Sequence, residues 1–145
     1  MSSHNKKEIN FRINSFEVLS YSFQKPEEKI RKDRIEYRVQ FVTSGDLKKE
    51  LFWFDIKITG QYGKKDPLIL GEMVTRSTFK LQGIHNFKNE EGEITIPDHL
   101  ATTLLSISYS TTRGAMAVKS EGNILSEVIV PLVDPKKLLE SSKTE

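Results

Sequence analysis

The side chains of this sequence that could bind a metal ion or transfer protons are few and scattered. The three histidines are His4, His85 and His99, and the 145-residue chain has no cysteine. His85, Asp98 and His99 are candidate metal ligands, but they lack the H-x₃-H spacing and the thiolates of common zinc sites. Glycine-rich phosphate loops and the G-x-S-x-G turn of hydrolases are also absent from the sequence. The sequence therefore predicts no enzyme, no bound metal and no cofactor.

The composition is that of an ordinary soluble protein. Charged residues make up 29% of the chain and hydrophobic residues 37%. No apolar run approaches the roughly 20 residues that a membrane span needs, and residues 1–10 lack the apolar stretch of a signal peptide. The net charge is only +2, and the densest basic stretch, residues 25–34, interleaves its five cations with three acids. We therefore predict a cytoplasmic protein that binds no nucleic acid and does not insert into a membrane.

Alternating apolar and polar side chains predict four antiparallel strands. In the first strand the alternation changes phase near Asn14 and again after Val18, which predicts β-bulges. The second is expected to end at a turn over residues 43–46, and Gly71 predicts a bend or close backbone approach in the fourth. The predicted strands cover residues 11–23, 35–41, 51–60 and 68–84.

A helical period replaces the alternation after residue 94. Thr95 and Asp98 have the spacing of a capping box, which predicts a helix that runs to about Lys119 and stops before Gly122. Its candidate buried face consists of two adjoining stripes with i, i+4, i+7 spacing. The stripes are Leu100, Leu104, Ile107 and Thr111, and Ala101, Leu105, Ser108 and Thr112.

A short C-terminal helix is expected after an extended segment at residues 124–130. Asp134 is its predicted N-cap, with Pro135 at the first helical position. The chain length suits one domain of roughly 100 to 150 residues. We predict a disordered N-terminus at residues 1–8, one domain at residues 9–140 and a flexible tail at residues 141–145.

The strands carry more aromatic surface than a small core obviously requires. The chain has eight Phe, four Tyr and one Trp, and the alternation assigns Trp53 to the face opposite Phe52 and Phe54. Exposed apolar patches larger than a few hundred Å² usually mark association or binding. The aromatic residues therefore either form ordinary core beneath the helix or also serve a partner, and the pattern alone leaves both interpretations open.

Four local motifs, in order, resemble the SecB family of protein-export chaperones over about residues 9–140. The family motifs are S-F-x-x-P, F-x-I-x-G-I, a long helix with an arginine, and a leucine pair that follows a glycine and a proline. The matching residues are Ser22, Phe23 and Pro26; Phe79, Leu81, Gly83 and Ile84; residues 104–109 with Arg113; and Gly122, Pro131, Leu138 and Leu139.

This resemblance implies an α+β fold, in which a long helix and a short C-terminal helix pack on one side of a four-stranded antiparallel sheet. It also implies an ATP-independent holdase that binds unfolded polypeptides in apolar grooves and assembles as a dimer, or as a tetramer of two dimers. The implied client-binding residues are Val39, Phe41, Trp53, Ile56, Leu138 and Leu139, and the implied oligomer-interface residues are Leu105, Ser108, Tyr109, Thr112 and Arg113.

The chain also departs from the family pattern. SecB is strongly acidic and offers carboxylates to the SecA motor, whereas this chain is slightly basic and has no basic, metal-binding tail after Leu139. These differences make SecA a doubtful partner and leave two roles open, protein export and service to a dedicated client such as the antitoxin of a toxin-antitoxin pair. Two alternatives are a scaffold that binds one folded partner without general holdase activity, and a small-ligand binder or enzyme that uses a cleft between sheet and helix.

Overall fold

The computed structural model describes residues 10–143. The predicted disordered segment, residues 1–8, and the last two residues of the predicted tail lie outside this range. The four strands form one antiparallel sheet in the order β1-β4-β3-β2, and two helices follow the sheet in the chain. The predicted α+β fold is therefore confirmed. The elements are β1 Asn10–Phe23, β2 Ile35–Asp46, β3 Leu51–Tyr62, β4 Leu68–Gln82, α1 Asp98–Lys119 and α2 Pro135–Lys143.

The predicted irregularities of the sheet are present. The register of β1 against β4 shifts between Ile13 and Ser15 and again between Val18 and Ser20, at the two phase changes of the sequence. A further shift lies between Gly60 and Gln61 of β3, opposite Gly71. A Cβ atom on Gly71 would lie 2.7 Å from Leu125 Cδ1 and 2.9 Å from the carbonyl oxygen of Ser22. Gly71 is therefore a point of close approach, as predicted.

The core lies between the sheet and α1. Strand pairing places Phe54, Ile56 and Ile58 of β3 on the same face as Met73 and Phe79 of β4, and all five are almost completely buried. The face of the helix that packs on the sheet is rotated by one position relative to the two predicted stripes, toward Tyr109 and Met116. Its buried residues are Leu100, Leu104, Leu105, Ser108, Tyr109, Thr112 and Met116, whereas Ile107 is half-buried and Thr111 is exposed.

Several element ends differ from the predictions. Residues 43–46 continue β2, and the turn follows at residues 47–50. The capping box does not form, because α1 has Pro97 as its N-cap without a side-chain hydrogen bond, and Asp98 is the first helical residue. The segment at residues 124–130 begins with a 3₁₀ turn at Ile124–Glu127 instead of being extended throughout. Helix α2 continues beyond the predicted domain end at residue 140 to Lys143.

The predicted start of α2 is correct. The Asp134 side chain accepts a hydrogen bond from the backbone N–H of Lys136 at 3.0 Å, and the Asp134 carbonyl accepts one from Leu138 N–H at 3.0 Å. Pro135 occupies the first helical position, where its missing N–H costs nothing. Asp134 therefore fixes the residue at which α2 begins.

Candidate functional site

The loop between β1 and β2 is bordered on both sides by open apolar cavities. Pro26 and Ile30 are half-buried within this otherwise charged loop. A cavity of about 550 Å³ lies between the loop, Phe23 and Ile124, and a second of about 390 Å³ lies between the loop, Tyr62 and Leu68. Pro26 and Ile30 line both cavities. We call the two cavities together the loop furrow, defined by Phe23, Pro26, Ile30, Tyr62, Leu68 and Ile124.

The rim of the loop furrow carries charges of both signs. Lys25 and Lys29 flank the adjacent Glu27 and Glu28 along the loop, and all four are exposed. An apolar floor with a mixed charged rim excludes water from an apolar ligand without selecting strongly for the sign of its charge. The arrangement suits an apolar polypeptide segment better than a small anion or cation.

A second apolar area lies on the helix side of the sheet. Val39 and Phe41 of β2 pair with core residues of β3, and the Phe41 ring lies 5.8 Å from the Phe54 ring. Leu138 and Leu139 of α2 pack against the same core, and all four predicted client-binding residues of this group are half-buried. Each therefore keeps part of its apolar surface accessible.

Strand β2 also exposes backbone hydrogen-bonding groups at the edge of the sheet. Gly63 N–H donates to the carbonyl of Arg34 at 3.5 Å, and hydrogen-bonded pairs alternate along an antiparallel ladder. The backbone N–H and C=O groups of Tyr37, Val39 and Phe41 therefore point away from β3. In residues 10–143, no backbone hydrogen bond outside the strand ladders involves these groups.

Two of the predicted client-binding residues lie elsewhere. Trp53 is on the opposite face of the sheet, half-buried, with the Arg76 guanidinium 5.3 Å from its ring centroid. Arg76 in turn donates two hydrogen bonds to Asp55, at 2.7 and 2.8 Å. Ile56 is completely buried beneath α1, so it belongs to the core and not to an accessible groove. Alternation assigned both residues to the correct face but did not show which face α1 covers.

The predicted oligomer-interface residues are mostly buried inside the protomer. Leu105, Ser108, Tyr109 and Thr112 lie on the face of α1 that packs on the sheet, where Thr112 Oγ1 lies 2.8 Å from Thr75 Oγ1. This face is unavailable to a second subunit in the folded protomer, which corrects the assignment. Arg113 is half-buried, and its Nε donates to the carbonyl of Val130 at 2.9 Å.

Exposed apolar residues occur instead along β1. Phe11 is 41% exposed, Ile13 62% and Leu19 43%. Because β1 is the other edge of the sheet, its outer backbone groups are also available for pairing. This strand therefore offers both apolar surface and hydrogen-bonding groups to a second polypeptide chain.

The described part of the chain contains no cluster of metal ligands: among residues 10–143, no group of three or more His, Asp or Glu side chains is placed to hold a metal ion. No helix within residues 10–143 is long and apolar enough to cross a membrane.

Comparison with known structures identifies a protein of the same fold. The chain is similar to a SecB-like chaperone of Mycobacterium tuberculosis, solved in complex with a ChAD peptide from the HigA1 antitoxin, with a TM-score of 0.57 and 12% identity. The alignment covers 85% of this chain and 90% of that chain. A protein of unknown function from Streptococcus agalactiae aligns with a TM-score of 0.34 and 14% identity, over 87% of this chain and 98% of that one. No protein-family model and no curated protein matches the sequence.

The SecB-like fold predicted from the sequence motifs is thus confirmed at the level of structure. The loop furrow, in contrast, was not predicted as a binding site. The sequence signal for it is the presence of Pro26 and Ile30 in a loop that is otherwise charged.

Proposed function

We propose that this protein is an ATP-independent chaperone that holds unfolded polypeptide segments in the loop furrow and on the apolar area formed by β2 and α2. The observation that carries the proposal is the loop furrow itself, an open apolar cavity on a fold shared with a SecB-like chaperone that binds an antitoxin peptide. We further propose a cytoplasmic, dedicated client such as an antitoxin, in preference to general protein export through SecA.

The two areas match the two kinds of groups that an unfolded chain exposes. Apolar client side chains gain roughly 25 cal/mol per Å² when they leave water for the loop furrow or for the surface of Phe41 and Leu138. Unpaired client backbone groups can pair with the free edge of β2, as in strand addition. Neither interaction requires a nucleotide, and both tolerate many sequences. A client that occupies both areas binds more tightly than either contact alone, because the second contact forms at a high effective concentration.

We also propose that the protein is a homo-oligomer that pairs through β1. Phe11 and Ile13 would be covered when the outer edge of β1 meets the same edge of a second subunit. The exposed face of α1, with Ser110 and Gly114, is the part of the helix left for a further contact between dimers.

The mass in solution tests this assembly. Light scattering combined with size-exclusion chromatography should give the mass of a dimer or tetramer, and Ile13→Glu should shift the mass toward that of the monomer. A monomeric wild type would remove this part of the proposal.

The decisive test is suppression of aggregation. A chemically denatured protein is diluted into buffer with and without this protein, and light scattering is recorded. We expect the wild type to suppress scattering without ATP, and Ile30→Glu to lose most of this effect, because a carboxylate then faces an apolar cavity. Ile129→Glu is the matched control, because Ile129 is 80% exposed and lies outside the loop furrow.

The possible outcomes separate the functional classes. A wild type that leaves scattering unchanged but still binds one folded partner would favour the scaffold alternative. Equal activity of the Ile30 and Ile129 variants would show that clients do not use the loop furrow.

A further inference from the structure

The segment that joins α1 to α2, residues 120–134, is held by side-chain hydrogen bonds as well as by packing. We call it the connection. Its Ile129 is 80% exposed and its Leu132 is 84% exposed. A cavity of about 340 Å³, lined by Gly114 among others, separates part of the connection from α1. Apolar contacts hold the connection where Leu125 and Val130 are buried and where Ile124, Val128 and Val133 pack against the core, and hydrogen bonds hold the backbone between these points.

Three side chains from the rigid parts of the fold hold the backbone carbonyls of the connection. Tyr37 Oη of β2 donates to the carbonyl of Val128 at 2.8 Å and also lies 3.1 Å from that of Leu125. Arg113 Nε of α1 donates to Val130 O at 2.9 Å. Tyr109 Oη, one turn earlier on α1, donates to Pro131 O at 2.6 Å. Carbonyls on both sides of the cavity are therefore fixed.

We infer that Tyr109 and Arg113 are positioning residues that determine where α2, and with it the apolar surface of Leu138 and Leu139, lies on the protomer. Helix α2 begins at Pro135, four residues after the carbonyl that Tyr109 holds. Only residues 132–134 separate this carbonyl from α2, and the Asp134 side chain caps the first turn of the helix. The effect on clients rests on the proposed function, whereas the effect on α2 does not.

The chemistry of the two donors suits this role. Tyr109 is only 5% exposed, so the core holds its ring while its hydroxyl donates to Pro131 O. Arg113 keeps its charged head partly in water while its Nε makes a directed bond. Removing either donor leaves a carbonyl that solvent can hydrate, and hydration releases the backbone. Neither donor contributes to the sheet ladder, so the remaining core keeps its own contacts.

Amide hydrogen exchange of the free protein tests the inference directly. Tyr109→Phe and Arg113→Lys should each accelerate exchange in residues 130–143 by about five- to tenfold, the change expected when one intramolecular hydrogen bond is lost. Exchange in β3 and β4 should stay unchanged. Thr111→Ala is the matched control, because the Thr111 hydroxyl bonds only within α1, to Ile107 O. Unchanged exchange in α2, or equal acceleration in the sheet, would overturn the inference.

A binding experiment then tests whether the position of α2 matters to clients. A fluorescent unfolded peptide that binds the wild type should bind both variants about fivefold more weakly, mainly through faster dissociation, and should bind Thr111→Ala normally. Equal affinity for all proteins would show that the position of α2 does not matter to clients, and this would overturn the functional half of the inference. If the wild type binds no unfolded peptide, the proposed function fails, and the exchange arm still decides the positioning role. If Tyr109→Phe does not fold, Arg113→Lys decides alone.

Discussion

Leu125 occupies the space that two glycines leave open in the sheet, and this packing can be tested by a double-mutant cycle. A Cβ atom on Gly60 would lie 2.9 Å from Leu125 Cδ2 and 3.2 Å from Tyr37 Cε1. Gly60→Ala therefore forces the Leu125 side chain to move and should cost about 1–3 kcal/mol. Leu125 is 2% exposed, so Leu125→Ala removes a buried side chain and should cost about 2–5 kcal/mol.

The double variant should be less damaging than the sum of the single changes. With Leu125 shortened, the methyl group added at Gly60 enters vacated space instead of a filled site. We expect the double variant to lose about 1–2 kcal/mol less stability than the sum of the two single changes, a coupling within the range seen for residues in contact. Gly114→Ala is the control, because a Cβ atom at this position would meet nothing within 4 Å. The coupling between Gly114 and Leu125 should therefore be close to zero.

Urea unfolding followed through the fluorescence of Trp53, the single tryptophan of the chain, provides the free energies. All variants are compared at one protomer concentration, since assembly would contribute to the apparent stability. Additivity of Gly60→Ala and Leu125→Ala within about 0.5 kcal/mol would refute the packing argument. So would a coupling of equal size for the Gly114 pair.

Three further changes probe the helices and the connection. Gly114→Ala should raise the free energy of unfolding by about 0.5–1 kcal/mol, because alanine favours the helix and its Cβ would meet nothing within 4 Å; a loss of stability in urea would contradict this. Asp134→Ala should weaken α2 by about 1 kcal/mol through loss of its N-cap, seen as faster amide exchange confined to α2. Burial raises the pKa of Tyr37 from 10.0 to about 12, so the folded state holds this proton more tightly than the unfolded state. The contribution of the protonated Tyr37 hydroxyl to the free energy of unfolding is therefore fully present below about pH 10, and it is lost as the pH rises through 12. Tyr37→Phe should flatten this alkaline decline in unfolding experiments, and an unchanged decline in the variant would contradict the assignment to Tyr37.

The sheet could be predicted in detail because its period is simple. Both bulges of β1 appear in the sequence as phase changes, since a one-residue slip moves every later side chain to the other face. The predicted start of α1 was wrong for a local reason. Ile96 precedes a proline and is therefore disfavoured in the helical conformation. Thr95 N–H instead donates to Phe87 O at 2.7 Å, which holds it in the preceding loop. The capping-box spacing ignored both constraints.

The surface of α1 was harder to predict because its two faces have similar composition. Small and hydroxyl residues occur all around the helix, so periodicity did not distinguish the buried stripe from its neighbours. The choice is made by the sheet, where Thr75 offers Thr112 a buried hydroxyl partner. The loop furrow depends equally on tertiary contacts, since Ile30 gains Tyr62 and Leu68 as neighbours only after β3 and β4 have paired.

The connection joins the two apolar areas proposed for clients. Ile124, near its start, lines the loop furrow, and α2 with Leu138 follows directly after its end. Tyr37, Tyr109 and Arg113 fix the backbone between these points. A client that binds both areas therefore depends on the separation that these three donors maintain. Because the gain from a second contact falls steeply when the spacing of the two sites varies, the proposed function predicts that hydrogen bonds far from any client side chain contribute to affinity.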